Sequence, residues 1–344
     1  MWFAENNGRT ADIYIDLGTA NTLVVTRKRG LIANEPSVVA YREMGPENRK
    51  VVIAVGAEAK EKIGRTPESL VACHPLKDGV IADLDITETM LRHFMERARG
   101  RFALTKPRVV ISLPHGVTDV EKKAIVMAGL SAGAREVLLV DEPMAAAVGA
   151  GLPVEEPKGN MVIDIGGGTT EIAVISLCGV VTCETVRAGG HAFDQAIVNY
   201  IRRQHNLIIG IPSAEKLKIE LGNALPGDHS TRSKVRGVDY VSHLPRAIEI
   251  TSAEVHEAIE DILKVIFEAG RRTIEKTPPE LIEDIAKDGV VVAGGGALIM
   301  NLDKRLEQEL GIPVRIASEP LQTIAQGGGK IIGDPRLLER VVLQ

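Results

Sequence analysis

The feature that most constrains this chain is a repeat. The stretch 12–25, DIYIDLGTANTLVV, and the stretch 160–175, NMVIDIGGGTTEIAVI, follow one pattern of apolar run, Asp, apolar residue, Gly, three small residues, Thr and a second apolar run. Aligning Asp16 with Asp164, 148 positions later, sets Gly18 on Gly166 and Thr22 on Thr170. Two short apolar runs joined by a small glycine-bearing tip read as a β-hairpin. The same hairpin recurring at nearly half the length of a 344-residue chain predicts two structurally similar halves, each opening a β-rich α/β domain. Length alone agrees, since it favours about two domains.

Other junctions fill in the alternation of strands with helices. In GVVVAGGGALIMNLDKRLEQEL, Val290–Val292 run into Gly294–Gly296, after which Leu298, Leu302, Leu306 and Leu310 fall at helical spacing. In VLLVDEPMAAAVGAG a strand at 137–140 ends on Asp141 and Glu142, and Pro143 starts an alanine-rich helix. Helical periodicity is clear over 87–98, 120–130, 193–205, 214–221 and 253–275. The polar, glycine-bounded run GDHSTRSKVRG at 227–237 reads as an exposed loop or strand connection. Segments 34–74 and 188–248 look like insertions after each hairpin. The expected division is therefore discontinuous: residues 1–33 with 75–149 and 320–344 as one large subdomain, 34–74 as its insertion, 150–187 with 249–319 as the second, and 188–248 as the second insertion.

Composition removes several classes. Forty-one Lys and Arg against 46 Asp and Glu give a net charge of −5, which argues against holding nucleic acid by bulk electrostatics. Cys73, Cys178 and Cys183 show no metal-ligand spacing, and an odd count reads as reduced thiols and a cytosolic setting. No apolar run approaches the roughly 18–20 residues that span a bilayer. The chain is rich in glycine, with 34, and poor in aromatics, with one Trp, four Tyr and five Phe, as expected of many tight strand-to-loop junctions.

The glycine tips suit a phosphate chain. Phosphates need backbone N–H groups that approach without Cβ obstruction, hydroxyl donors, and a carboxylate to hold hydrated Mg²⁺. Gly18, Thr19, Ala20 and Asn21 supply one such surface, Gly166, Gly167, Gly168 and Thr169 another, and Asp16 and Asp164 the carboxylates. Two tips facing one ligand would make a domain-cleft nucleotide site. The P-loop ending in Gly-Lys-Ser/Thr is absent, and Gly294–Leu298 does not fit the dinucleotide fingerprint. Glu142, at a strand end, is the acceptor best placed to orient a water on the γ-phosphate, since phosphoryl transfer rests on positioning and electrostatics. Asp141 reads as loop-fixing. Glu215 and Lys218 lie three apart, on one helix face, as an acid and an amine reaching ribose hydroxyls or as an ordinary surface ion pair.

DLGTANT, DEPMAAAVGAG, DIGGGTTE and GGGAL, in this order and spacing, resemble the actin, sugar-kinase and heat-shock-chaperone ATPase superfamily. The segments LIANEPSVVA, IGRTPE, PLKDGVIAD and TPPELIEDIAKDGVVVAGGGALI resemble the MreB family of bacterial actins within it. That resemblance implies actin-like, ribonuclease-H-like duplicated α/β domains around a nucleotide cleft, each with an inserted smaller subdomain. It implies ATP and Mg²⁺ as cofactors, phosphate contacts at Thr19, Ala20, Asn21 and Gly166–Gly168, and Mg²⁺ around Asp16 and Asp164. It puts Glu142 and Thr169 at the hydrolytic water and adenosine on Glu215, Lys218 and the loop Gly295, Gly296, Ala297 and Leu298, which would receive adenine or guanine alike.

The family resemblance further implies slow ATP hydrolysis coupled to polymerisation, paired protofilaments of the chain itself, and filaments on the inner face of the cytoplasmic membrane. Cell-wall elongation proteins, including transmembrane partners, follow from the family too, with wall synthesis and rod shape as the outcome. The sequence lends this support: Trp2 and Phe3 stand near the N-terminus, and Phe102 and Leu104 sit in RARGRFALTKPR, which carries five cations and no acid, as a loop facing anionic lipid would. Rival expectations on the same fold are a small-molecule kinase, a chaperone-type ATPase, or an actin that positions plasmids or organelles.

Overall fold

The computed structural model describes residues 12–44, 49–63, 70–77, 79–99, 105–226 and 230–343. The chain forms two compact units, Met1–Glu156 with Gln322–Gln344, and Pro157–Leu321. Each is built on a five-stranded sheet of the same design.

In the first unit, Asp12–Leu17, Asn21–Thr26 and Gly30–Pro36 form an antiparallel meander, and Arg108–Leu113 and Glu136–Asp141 add in parallel beside Asp12–Leu17. In the second, Asn160–Ile165, Thr170–Ser176 and Gly179–Val186 form the meander, with Val290–Ala293 and Val314–Ile316 parallel beside Asn160–Ile165. The two hairpins agree residue for residue. Leu17 pairs with Thr22 and Ile165 with Thr170, while Ile13 pairs with Thr26 and Met161 with Val174. The duplicated α/β architecture expected from the repeat is thus present.

Both sheets are covered by helices, which is why their central strands are apolar on alternate and adjacent positions alike. In the first unit Ile13, Ile15, Val109 and Ile111 meet Met90, Leu91 and Phe94 of helix Leu84–Arg99. Tyr14 points to the other face, as period-two alternation requires, and meets helix Thr323–Gly333 there. In the second unit Met161 and Ile163 share a core with Phe193 and Ile197 of helix Gly190–His205 and Ile259, Leu263 and Phe267 of helix Ser252–Glu275. Each such side chain taken out of water contributes about 1.5–3 kcal/mol. Helices Asp119–Ser131 and Ser252–Glu275 start at capping boxes, Thr118 with Glu121 and Thr251 with Glu254.

Helix Glu142–Gly149 packs on Thr323–Gly333 with backbone against backbone. A Cβ on Gly327 would fall 1.8 Å from the Ala145 carbonyl oxygen, and one on Gly149 would fall 1.9 Å from that of Thr323. Lys330 Nζ donates to the carbonyls of Val148 and Gly149, at 2.9 and 3.1 Å, so satisfying two of the acceptors that a helix end leaves open.

Each unit also carries a smaller three-stranded sheet. Arg49–Val55, Val39–Met44 and Leu70–Cys73 form one, and Leu207–Ile208, Arg232–Asp239 and Pro245–Thr251 the other. Two sequence expectations change. The run 227–237 is in large part strand, because Arg232–Asp239 pairs along its length with Pro245–Thr251. The helix expected from Leu298 onward is broken: Gly295–Leu298 is a single 3₁₀ turn, Asn301 takes φ +58°, and the α-helix runs only from Leu302 to Leu310.

Candidate functional site: two acidic glycine tips

In the first unit, three parallel strands end together. Asp16, Ser112 and Val140 stand in register, so Asp16, Asp141 and Glu142 share the carboxyl edge of the sheet, where open α/β sheets take ligands. Asp16 is buried, and Ser112 Oγ donates to its Oδ1 at 3.3 Å. Gly18 must lack a side chain, since a Cβ there would lie 2.6 Å from the Asn21 carbonyl oxygen. Ser37 braces the tip: its amide donates to the Ala20 carbonyl at 2.9 Å, its hydroxyl to that of Gly18 at 2.6 Å, and it bonds the Thr22 hydroxyl at 2.8 Å. The Gly79 amide donates to Thr19 Oγ1 at 3.0 Å, which leaves the threonine its own proton to give.

Glu142 opens helix Glu142–Gly149 and is 8 % exposed. Asp141 before it is also buried and lies 3.2 Å from His115 Nδ1. That carboxylate raises the His115 pKa above its ordinary 6.5 by hydrogen bonding, against the opposing effect of burial. Asp141 thus ties the loop after Arg108–Leu113 to the strand end that carries Glu142.

In the second unit the tip Gly166–Thr169 closes on a bond from the Gly166 amide to the Thr169 carbonyl at 2.9 Å. Thr169 is buried. A second layer of glycines supports the tip: the Gly190 amide donates to the Gly166 carbonyl at 2.9 Å and the His191 amide to that of Gly167 at 2.8 Å. Asp164 stands opposite Ala293 where Asp16 stands opposite Ser112. Its Oδ1 is buried and has no hydrogen-bond partner among the described residues. Desolvation pushes its pKa from 3.8 up to about 6. Gly294, at φ +81°, passes so close that a Cβ would sit 2.6 Å from this oxygen. A buried carboxylate oxygen with no donor is costly unless something positive meets it. The hard oxygen donor and bare backbone around it suit a divalent cation such as Mg²⁺.

The other expected nucleoside contacts lie in this unit too. Gly295 and Leu298 are exposed, Leu298 by 59 %, while Gly296 and Ala297 are buried, Gly296 against the side chain of Ile165. Glu215 and Lys218 lie on helix Ile211–Leu221, and Lys218 Nζ donates to the Gly190 carbonyl at 3.0 Å, directly behind the glycine tip. Trp2, Phe3, Phe102 and Leu104 lie outside the described residues. The supports Ser37, Gly79, Ser112 and Gly190 are not evident from the motifs, because they reach the tips through strand pairing and loops far along the chain.

Two units with hairpins in one register, each ending in an acidic glycine tip, define an actin-like α/β protein. Among solved structures, MreB 5 of Spiroplasma citri bound to AMPPNP matches with a TM-score of 0.89 and 34 % identity, covering 97 % of this chain and 98 % of that one. The MamK double helical filament shares the fold, at TM-score 0.76 and 21 % identity over 94 % of this chain and 99 % of that one. The family model for MreB/Mbl protein matches residues 10–340. The cell shape-determining protein MreB of Escherichia coli K12 is 50 % identical over 322 residues, 93 % of each chain, and the cell shape-determining protein Mbl of Bacillus subtilis 168 is 46 % identical over 321 residues, 93 % of this chain and 95 % of its own. The chain belongs to the MreB/Mbl family.

Proposed function

We propose that this chain is a cytoskeletal ATPase that assembles with itself into nucleotide-dependent filaments and determines rod cell shape by organising wall synthesis. The observation that carries the reading is the pair of register-matched tips, each with a buried aspartate behind bare backbone, in a chain half identical to a cell shape-determining protein. Gly18, Thr19, Ala20, Asn21 and Gly166–Gly168 bind phosphates. Glu215, Lys218 and Gly295–Leu298 bind the nucleoside. Asp16 and Asp164 hold Mg²⁺, which when bound neutralises phosphate charge. Glu142 and Thr169 orient the attacking water, and Glu142 does so from the first residue of its helix.

Hydrolysis serves as a timer. ATP favours filaments only through tighter binding to the assembling conformation, because only differential affinity shifts an equilibrium, so the free subunit hydrolyses slowly. The filaments pair as protofilaments and lie on the inner face of the cytoplasmic membrane, with Trp2, Phe3, Phe102 and Leu104 as lipid contacts, alongside wall-elongation proteins including transmembrane ones. The units divide further at the boundaries expected from the sequence, with 34–74 and 188–248 as the inserted subdomains.

The test is high-speed pelleting with electron microscopy under Mg·ATP, Mg·ADP and no nucleotide, with and without anionic liposomes, for wild type, Glu142→Ala and Phe102→Ala. Membrane-bound filaments with ATP are expected, longer-lived in Glu142→Ala and released from lipid in Phe102→Ala. Subunits that stay monomeric in every condition, or that phosphorylate a small metabolite, overturn the filament reading.

A further inference from the structure

Asp194 has no part in the site described so far, yet it is among the most deeply buried charged side chains of the second unit, 3 % exposed. It sits one turn into helix Gly190–His205, whose N-cap Gly189 and first residue Gly190 lie against the tip. A Cβ on Gly189 would come within 2.8 Å of the Gly166 carbonyl oxygen, so this helix start approaches the tip as closely as backbone allows. A carboxylate in such a place needs a partner, since an uncompensated buried charge costs several kcal/mol. Lys218, from helix Ile211–Leu221, provides it, with Nζ 2.7 Å from Asp194 Oδ1.

The same ammonium donates to the Gly190 carbonyl at 3.0 Å, and the Gly190 amide donates to Gly166 at 2.9 Å. One ion pair and two hydrogen bonds therefore link Asp194 and Lys218 through Gly190 to the phosphate-binding tip. An ammonium carries three N–H groups; one is committed to the Gly190 carbonyl, and the ion pair with Asp194 holds the charge in place. A lysine on an open helix face spreads over many rotamers, whereas this one is already fixed, so a ligand bond to a remaining N–H costs little further entropy. Its charge is balanced by the adjacent carboxylate. Such a group suits a neutral acceptor, a sugar hydroxyl, better than a phosphate anion.

We propose that Asp194 is a positioning residue for nucleotide binding: it holds Lys218 as a fixed, charge-balanced donor to the sugar hydroxyls of a nucleoside triphosphate. This rests on the nucleotide reading above. The test measures Mg·ATP affinity by equilibrium dialysis, below polymerising concentration, for wild type, Asp194→Asn, Lys218→Met and the double variant, with melting of each recorded without nucleotide. The double variant leaves no unpaired buried charge and guards against misfolding of either single one.

Each single variant is expected to lose about tenfold in affinity, the scale of one preorganised hydrogen bond, and the double variant to bind within about twofold of Lys218→Met, because Asp194 acts only through the lysine. The loss should be smaller for 2′-deoxy- or 3′-deoxy-ATP, whichever lacks the hydroxyl in question. Asp194→Asn binding as tightly as wild type, or the two losses multiplying in the double variant, overturns the positioning role. So does undiminished binding by Lys218→Met, with the nucleotide reading left standing. Wild type that binds no Mg·ATP overturns both.

Discussion

Replacing Asp164 by Asn should make the nucleotide-free protein more stable and at the same time remove its response to Mg·ATP. Asp164 and Asn have nearly the same shape, so the substitution removes charge and little else. In the folded state burial raises the carboxyl pKa from 3.8 to about 6. At about 1.4 kcal/mol per pKa unit, the ionised form costs about 3 kcal/mol of folding stability. The sign follows from proton binding. Below pH 3.8 the group is protonated in both states and costs nothing. Between 3.8 and about 6 the folded state keeps a proton that the unfolded state has released, so wild-type stability falls as pH rises through that window and is level above it. Denaturant unfolding in EDTA at pH 4, 5, 6 and 7.5 should show Asp164→Asn gaining on wild type across that range, by about 2–3 kcal/mol at the top. With Mg·ATP added, wild type should be stabilised and Asp164→Asn should not. A variant that is less stable than wild type at pH 7.5 without nucleotide, or a gap that does not change with pH, would refute the argument that a bare, cation-seeking carboxylate is held there.

Three further outcomes follow from the geometry. Gly327→Ala should destabilise by about 2 kcal/mol or more in equilibrium unfolding, although Gly→Ala in a helix ordinarily stabilises by up to about 1 kcal/mol, because the new Cβ meets the Ala145 carbonyl; a neutral or stabilising result would mean the helices can separate freely. Leu177 and Cys178 form a two-residue turn with φ of 51° and 62°, so Leu177→Asn with Cys178→Gly should raise stability by about 1–3 kcal/mol, read as a higher melting temperature, and an unchanged one would count against strain at the turn. The His115–Asp141 pair raises the histidine pKa, so its contribution is complete below pH 6.5 and lost as pH rises through the folded value; His115→Ala should therefore cost more stability at pH 6 than at pH 8.5.

The sequence declared the two hairpins because an aspartate two residues before a glycine tip is a local pattern, and the strands around it are apolar on both faces. The capping boxes at Thr118 and Thr251 are just as local, each confined to four residues, although the helices that they start were read from periodicity alone. Arg232–Asp239 was hidden because one of its faces is solvated and only Val235 along it is fully buried, so composition resembles a loop. The leucines from 298 to 310 keep helical spacing through a break that only the backbone of Asn301 reveals. At the site, Asp16 and Asp164 were visible as equals, but their difference was not. It depends on whether Ser112 or Ala293 lies on the adjacent parallel strand, nearly a hundred residues or more away. Lys218 was visible as half of a pair with Glu215, while the carboxylate it pairs with comes from another helix 24 residues earlier.

The close contact of Glu142–Gly149 with Thr323–Gly333 also has a consequence for synthesis of the chain. The first unit is split, and everything from Pro157 to Leu321 emerges from the ribosome before the helix that must cover Ala145 and Gly149. At about 5–20 residues per second that interval is roughly 10–30 s. Throughout it, the strand end at Leu139 and Val140 waits for Val342 and Leu343, and the helix behind Glu142 stays uncovered. The second unit, contiguous in the chain, can complete itself meanwhile. The half that begins first is finished last, and the early translation product is the one in greater need of a chaperone.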